Sequence, residues 1–248
     1  PTKMRKCADV VIHLAAVVGA PACAADPDLA WSVNVLGTQA VVKGLSLNQQ
    51  FVFASTGSVY GKLETMCSED IVPDPLTVYG KSKLDAERIL LSSGNVVVYR
   101  FATAFGLSPR MRLDLLPNDF TYKAVHDKYL VVYEGHFRRT FIHVHDIARA
   151  LLHALDNFDT MNGQIYNCGS NLLNATKIDL ATIIQKFTPY NLHFTDNGHD
   201  PDQRDYAVDY NKLVSTGYEI TINLEQGIQE MVNAFPHLEI HNPYSNVG

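Results

Sequence analysis

Three observations predict an α/β fold built on a parallel, doubly wound sheet. Apolar, β-branched runs of strand length recur at residues 10–14, 50–55 and 95–100, with a further strand read at 164–168. They do not alternate with polar residues, as strands covered on both faces do not. Helical patterns lie between them at the spacing of βαβ crossovers. The chain has 248 residues, 46% of them hydrophobic and 19% charged, ample material for such a core.

In order, Asp9-Val10-Val11-Ile12-His13-Leu14 reads as a fully buried strand, and residues 15–20 as a small-residue turn. Asp26-Pro27 opens a long helix, Asp26 as its cap and Pro27 in its first turn. Leu29, Val33, Leu36, Ala40 and Leu47 follow one face of it. Residues 50–55 form a second strand, and the loop Val72-Pro73-Asp74-Pro75 leads into a helix over 77–91. A third strand at 95–100 precedes a helix at 113–126 and short strands at 129–133 and 140–144. A helix at 145–157, a strand at 164–168, and helices at 177–187 and 224–234 complete the pattern. Beyond about Gly106 the elements shorten and Tyr and His become more frequent. Residues 1–106, with parts of 140–168, therefore read as one core, and residues 107–248 mainly as a smaller α/β lobe intertwined with it.

Lys and Arg number 20 against 26 Asp and Glu, a net charge of -6. This argues against nucleic acid or an anionic membrane as the main partner. The apolar runs are too short to span a bilayer. Cys7, Cys23, Cys67 and Cys168 show no C-x-x-C spacing, so neither a zinc site nor a disulfide framework is signalled. With no secretory signal, a reduced, cytoplasmic setting is expected. His143 and His145 alternate along a strand and read as structural, so no metal site is expected.

The strongest chemical signal is Tyr79-Gly80-Lys81-Ser82-Lys83. On a helix, Tyr79 and Lys83 project from one face. A phenol of pKa ~10 is a poor base at neutral pH, and a neighbouring ammonium favours the phenolate. The pair thus suits proton transfer at an alcohol or sugar hydroxyl. Taken alone, the same spacing is more often a solvated helix face. It is accompanied by Phe51-Val52-Phe53-Ala54-Ser55-Thr56-Gly57-Ser58-Val59-Tyr60-Gly61, a buried strand ending in a hydroxyl-rich turn. The C-terminal edge of a parallel sheet is where such folds place ligands. Thr56 can hydrogen-bond the oxygen that Tyr79 deprotonates; the alternative is that Ser55 and Thr56 only cap the loop.

Five ordered motifs, spanning about residues 9–212, resemble the extended short-chain dehydrogenase/reductase family, in particular its NAD-dependent nucleotide-sugar epimerases and dehydratases. They are Val11-Ile12-His13-Leu14-Ala15-Ala16, Asn34-Val35-Leu36-Gly37-Thr38, Ser55-Thr56-Gly57-Ser58-Val59-Tyr60-Gly61, Tyr79-Gly80-Lys81-Ser82-Lys83 after Glu69, Pro73 and Pro75, and Arg139-Thr140-Phe141-Ile142-His143-Val144-His145-Asp146. The resemblance implies a Rossmann-type sheet followed by a smaller substrate lobe. It implies Thr56, Tyr79 and Lys83 as catalytic residues, with Tyr79 the general base. Leu14, Ala15, Ala16, Asn34, Tyr79, Lys83 and Phe101 would contact NAD. Thr56, Thr103, Asn118, Arg139 and Arg204 would contact a nucleotide-diphosphate sugar, the arginines through its phosphates. A homodimer through the helices at 28–47 and 78–91 is also implied.

Two departures narrow the reading. Dehydratases of the family carry an Asp-Glu pair where this chain has Gly57 and Ser58, which disfavours elimination of water and the decarboxylase branch. Thr103 replaces a frequent Asn. The glycine-rich loop that cradles the dinucleotide pyrophosphate is absent from the sequence, as is the acidic residue for the adenosine ribose. In the family roughly 60–70 residues of a first sheet half would precede Asp9, so the chain is expected to be incomplete relative to the natural protein. The expected activity is epimerisation, at C4, through a transient keto-sugar. An NADP-dependent nucleotide-sugar reductase or a dehydratase, and a non-catalytic binding protein or fragment of the same fold, are the alternatives.

Overall fold

The computed structural model describes residues 8–46, 48–62, 65–195 and 205–238. The first half contains β1 (Val10–His13), α1 (Ala20–Ala25), α2 (Pro27–Trp31), a π-helical segment (Ser32–Gly37) and α3 (Thr38–Val42). After these come β2 (Gln50–Thr56), a 3-10 turn (Gly57–Tyr60), α4 (Val78–Ser93), β3 (Val96–Phe101) and β4 (Thr103–Phe105). Then follow α5 (Leu116–His126), β5 (Tyr129–Tyr133), β6 (Arg138–His143), α6 (Val144–Asp156), α7 (Phe158–Met161) and β7 (Gln164–Cys168). Last are β8 (Asn174–Thr176), α8 (Lys177–Gln185), β9 (Asn191–Thr195), α9 (Asn211–Val214) and α10 (Leu224–Ala234).

The predicted strands at 10–14, 50–55, 95–100 and 164–168 form one parallel sheet in the order β1-β2-β3-β7. Because side chains alternate along a strand, β2 and β3 bury both faces. Phe51, Phe53, Val96 and Val98 pack on Ala86 and Leu90 of α4. On the other face Val52, Val97 and Tyr99 pack with Ala150, Leu151 and Ala154 of α6 and with Tyr206, Val208, Tyr210 and Tyr218. This is the doubly wound arrangement. A second core gathers Phe105, Phe120, Phe141, Leu180, Ile184, Ile228 and Met231 from α5, α8, α10 and the β4-β6-β8 sheet. Strands β5 and β9 pair beside it. Among the described residues, no helix is long and apolar enough to cross a membrane.

Two expectations need correction. The first strand is not fully buried: Val10 and Val11 are half-buried and Ile12 is 38% exposed. Among the described residues β1 bonds only to β2, so one of its sides has no strand neighbour there, although Val11 packs on the cluster that includes Ala86 and Leu90 of α4. The helix opened by Asp26, whose side chain does accept the Leu29 N–H at 2.9 Å, also turns a different face inward. Leu29 and Leu36 are 50% and 52% exposed, while Ala30, Asn34, Val35 and Thr38 are buried. That inner face is fixed by polar contacts, Thr38 to His13 and Asn34 to Val17, so apolarity does not mark it. Leu47 lies outside the described residues. Helix α1 stands where the sequence reading places no element beyond the turn at 15–20, because Ala-Pro-Ala-Cys-Ala-Ala carries no amphipathic period.

The first turn of α4 decides how the sheet edge is shaped. Thr77 caps it by accepting the Gly80 N–H at 3.1 Å. Gly80 lies so close to the Gly57–Tyr60 turn that a Cβ there would stand 2.7 Å from the Ser58 carbonyl oxygen and 2.9 Å from Pro75. The glycine therefore permits backbone-to-backbone contact between helix and turn. Gly80→Ala is expected to cost about 1–3 kcal/mol, read as a lowered urea midpoint with an unchanged denaturant slope; an unshifted midpoint would show that this contact is loose.

Candidate active site

Register brings three polar residues level near the C-terminal ends of β2, β3 and β7: Ser55 pairs with Arg100, and Arg100 with Asn167. Arg100 follows Val96 and Val98 at a period of two, so it faces α4. There it meets Glu87, donating from Nη2 to Oε2 at 2.7 Å and from Nε to Oε1 at 3.1 Å. Ser55 Oγ donates to the same Oε1 of that carboxylate. Both members of the ion pair are buried, with side chains 2% and 1% exposed. Arg100 Nη1 donates to the Tyr60 hydroxyl at 3.1 Å, and Tyr60 donates to Asn167 Oδ1 at 2.7 Å. Glu69 accepts the Asn167 N–H at 2.7 Å, closing the network onto the loop before α4. Burial works against the Arg100 cation, but its hydrogen bonds to Glu87 and the carboxylate charge outweigh that and hold it protonated.

The sequence-predicted catalytic residues stand around this network. Thr56 ends β2 half-buried; its Oγ1 accepts the Ser58 N–H at 3.1 Å and lies 3.2 Å from Ser58 Oγ. It therefore does cap the turn, the bland role weighed for it. Tyr79 is half-buried in the first turn of α4. Lys83, one turn on, is buried, and its Nζ lies 4.0 Å from the centre of the Phe53 ring. Burial lowers its pKa to about 7, against the opposing pull of Glu87 and Cys23. His13 stacks on the same Phe53 ring at 5.8 Å; burial and the Lys83 charge push its pKa down to about 4, so it stays neutral. The arrangement supplies an amine whose charge changes near neutral pH, next to a phenol and a hydroxyl at the sheet edge.

Asn34 is buried and fastens the loop after β1: it accepts the Val17 N–H at 2.8 Å and donates to the Val17 carbonyl and Ser82 Oγ, both at 3.0 Å. In that loop Leu14 is 54% exposed, Ala15 exposed and Ala16 half-buried. Phe101 lies level with Thr56 across β2 and β3 and packs on Tyr99 at 5.5 Å. Thr103 is half-buried in β4. Asn118 is buried, accepting the Gly106 N–H at 3.2 Å and donating to the Arg112 carbonyl at 3.0 Å, so its amide shapes the loop between them. Arg139 is buried in β6 and donates to the Arg138 carbonyl at 3.0 Å. Arg204 lies outside the described residues. His143 accepts the His145 N–H at Nδ1, which leaves Nε2–H to donate to Glu230 at 3.0 Å.

The sequence reading missed Glu87, Ser82 and Tyr206. Glu87 carried a usable signal, four residues beyond Lys83 and matched by a lone Arg in the apolar run 95–100. Tyr206 carried none: its hydroxyl approaches Gly57, 3.4 Å from where a Cβ would stand.

Comparison with known proteins places the chain among relatives of one family. An uncharacterized UDP-glucose epimerase of Bacillus subtilis is 28% identical over 76% of this chain, and the match spans 62% of that protein's length. The CDP-paratose 2-epimerase of Salmonella typhi is 23% identical over 90% of this chain and 76% of its own. A UDP-glucuronic acid 4-epimerase of Bacillus cereus, solved with UDP-glucuronic acid and NAD, superposes with a TM-score of 0.83 at 26% identity, covering 96% of this chain and 78% of that one. The profile of the NAD dependent epimerase/dehydratase family matches residues 2–169. With its parallel sheet and the Tyr79–Lys83 helix in place, the chain belongs to the NAD dependent epimerase/dehydratase family.

Proposed function

We propose that the chain interconverts nucleotide-diphosphate sugars at C4, with NAD held along the C-terminal edge of the β1-β2-β3-β7 sheet. One observation carries this reading: a desolvated Lys83 one helical turn from Tyr79, on a helix whose first turn rests on the Thr56 turn. The residues suit the nicotinamide-ribose end of a dinucleotide. Lys83 and Tyr79 offer donors for ribose hydroxyls, and the exposed Leu14 and Ala15 offer an apolar surface for a flat ring. When bound, NAD supplies the acceptance of a hydride from C4 and its return to the opposite face of the keto-sugar.

The chain's own residues handle the proton. Tyr79 takes it from the 4-hydroxyl and later gives it back, and the Lys83 ammonium stabilises the phenolate in between. Thr56 donates a hydrogen bond to the same oxygen and fixes its place beside Tyr79. Gly57 and Ser58 put no acid or base at the neighbouring carbon, which favours epimerisation over elimination. The second core, with Arg139 at its entrance strand, forms the lobe that takes the nucleotide diphosphate; a guanidinium pairs well with phosphate oxygens. The B. cereus enzyme, a 4-epimerase in complex with a UDP-sugar, supports C4 as the position. The outward Leu29, Trp31 and Leu36 support a homodimer through this helix and α4.

Tyr79→Phe is expected to lower turnover of UDP-glucose to UDP-galactose by about 10²–10⁴-fold, followed by chromatography of the nucleotide sugars; undiminished turnover would contradict the role. Lys83 gives a stability test with a definite sign. Its pKa is about 7 in the fold against an ordinary 10.5, so the unfolded chain binds the proton more tightly. Stability then rises with pH between those values and the burial penalty is fully present below them. Lys83→Met removes the penalty. The variant should melt above the parent protein at pH 6 to 7 and converge with it toward pH 10, while losing turnover. A constant difference in melting temperature across that range would contradict the desolvated lysine.

A further inference from the structure

Tyr79, Lys83 and Glu87 follow one another at four-residue intervals along α4, and Lys83 and Glu87 are 3% and 1% exposed. The Glu87 carboxylate accepts hydrogen bonds from Ser55 of β2 and from two nitrogens of Arg100 on β3. We propose that Glu87 is a positioning residue for the Tyr79–Lys83 pair: it fastens α4 to β2 and β3 and places a negative charge one helical turn from the Lys83 ammonium. This rests on the roles proposed above for Tyr79 and Lys83.

A buried ion pair is a weak device for stability alone, since apolar residues of similar volume often replace one at little cost. Its position is more telling than its energy. Lys83 is packed by the Phe53 ring from β2, by the neutral His13 from β1 and by Cys23 from α1, whose thiol burial pushes up and keeps protonated. Negative charge beside it comes from Glu87, which raises the Lys83 pKa against burial. Arg100 holds that carboxylate from the sheet side, with Nη1 turned to Tyr60. Without Glu87, Lys83 would lose its proton at lower pH and the phenolate would lose its counter-charge.

Two paired variants test this, E87M/R100M and E87Q/R100Q; each removes both charges together, so neither leaves a buried ion unpaired. The Lys83 titration is followed by NMR of protein labelled at lysine Cε and Nζ, with the Lys83 signal assigned by its loss in Lys83→Arg. Whichever pair folds is expected to show Lys83 titrating about one unit lower. Its kcat should fall by about tenfold or more at neutral pH while KM stays within about twofold. The charge-reversed pair E87R/R100E should keep the fold and lower the titration further. An unmoved Lys83 titration in the folded pair would overturn the proposal and leave Glu87 a purely structural anchor. A parent protein with no turnover on nucleotide sugars, but with the Lys83 shift present, would sink the epimerase reading and leave the Glu87–Lys83 coupling standing.

Discussion

The ion pair between Arg100 and Glu87 is the constraint on which the architecture around the sheet edge depends. Taking two such groups out of water costs several kcal/mol each, and only good geometry with additional hydrogen bonds offsets it. The structure provides both. Arg100 meets the carboxylate through two nitrogens, Ser55 adds a third donor, and Tyr60 takes the remaining guanidinium edge. Each partner comes from a different element, so satisfying one pair of charges sets the relative places of β2, β3, α4 and the turn after β2. Through Tyr60 and Asn167 the same network reaches β7 and the loop at Glu69.

The chemistry follows from that placement. With α4 held against the sheet, Lys83 has nowhere to go but over Phe53, away from water. Its amine is thereby brought to a pKa near 7, where a small change in surroundings alters its charge. That is costly for stability and useful for proton transfer, the trade expected where a site must be reactive. Gly80 makes the companion contribution by letting the helix start touch the Thr56 turn. The loop after β1 is fixed independently, by Asn34 from the π-helical segment. π-helical segments are rare and frequently sit at functional sites.

Much of this was legible in the sequence, for reasons of pattern. Strands β2 and β3 announce themselves as apolar runs, and α4 by the Pro-rich loop before it and its Tyr-x-x-x-Lys spacing. What escaped the reading depends on register. Nothing local says that Arg100 stands level with Ser55, or that both face Glu87; that appears only once β2 and β3 are paired. The inner face of the helix after Asp26 escaped because Asn34 and Thr38 hold it with polar bonds, leaving the apolar Leu29 and Leu36 outside. Asn118 was expected by resemblance to contact substrate; its amide is engaged by the Gly106 and Arg112 backbone, a contact no spacing encodes.

The central claim is that hydrogen leaves and returns at one sugar carbon. The most direct measurement uses UDP-glucose carrying deuterium at C4, incubated with the protein and NAD in ordinary water and followed by NMR. The account predicts UDP-galactose with the deuterium still at C4 and no net change in the dinucleotide. Loss of the label to solvent, or consumption of dinucleotide in step with product, would contradict it.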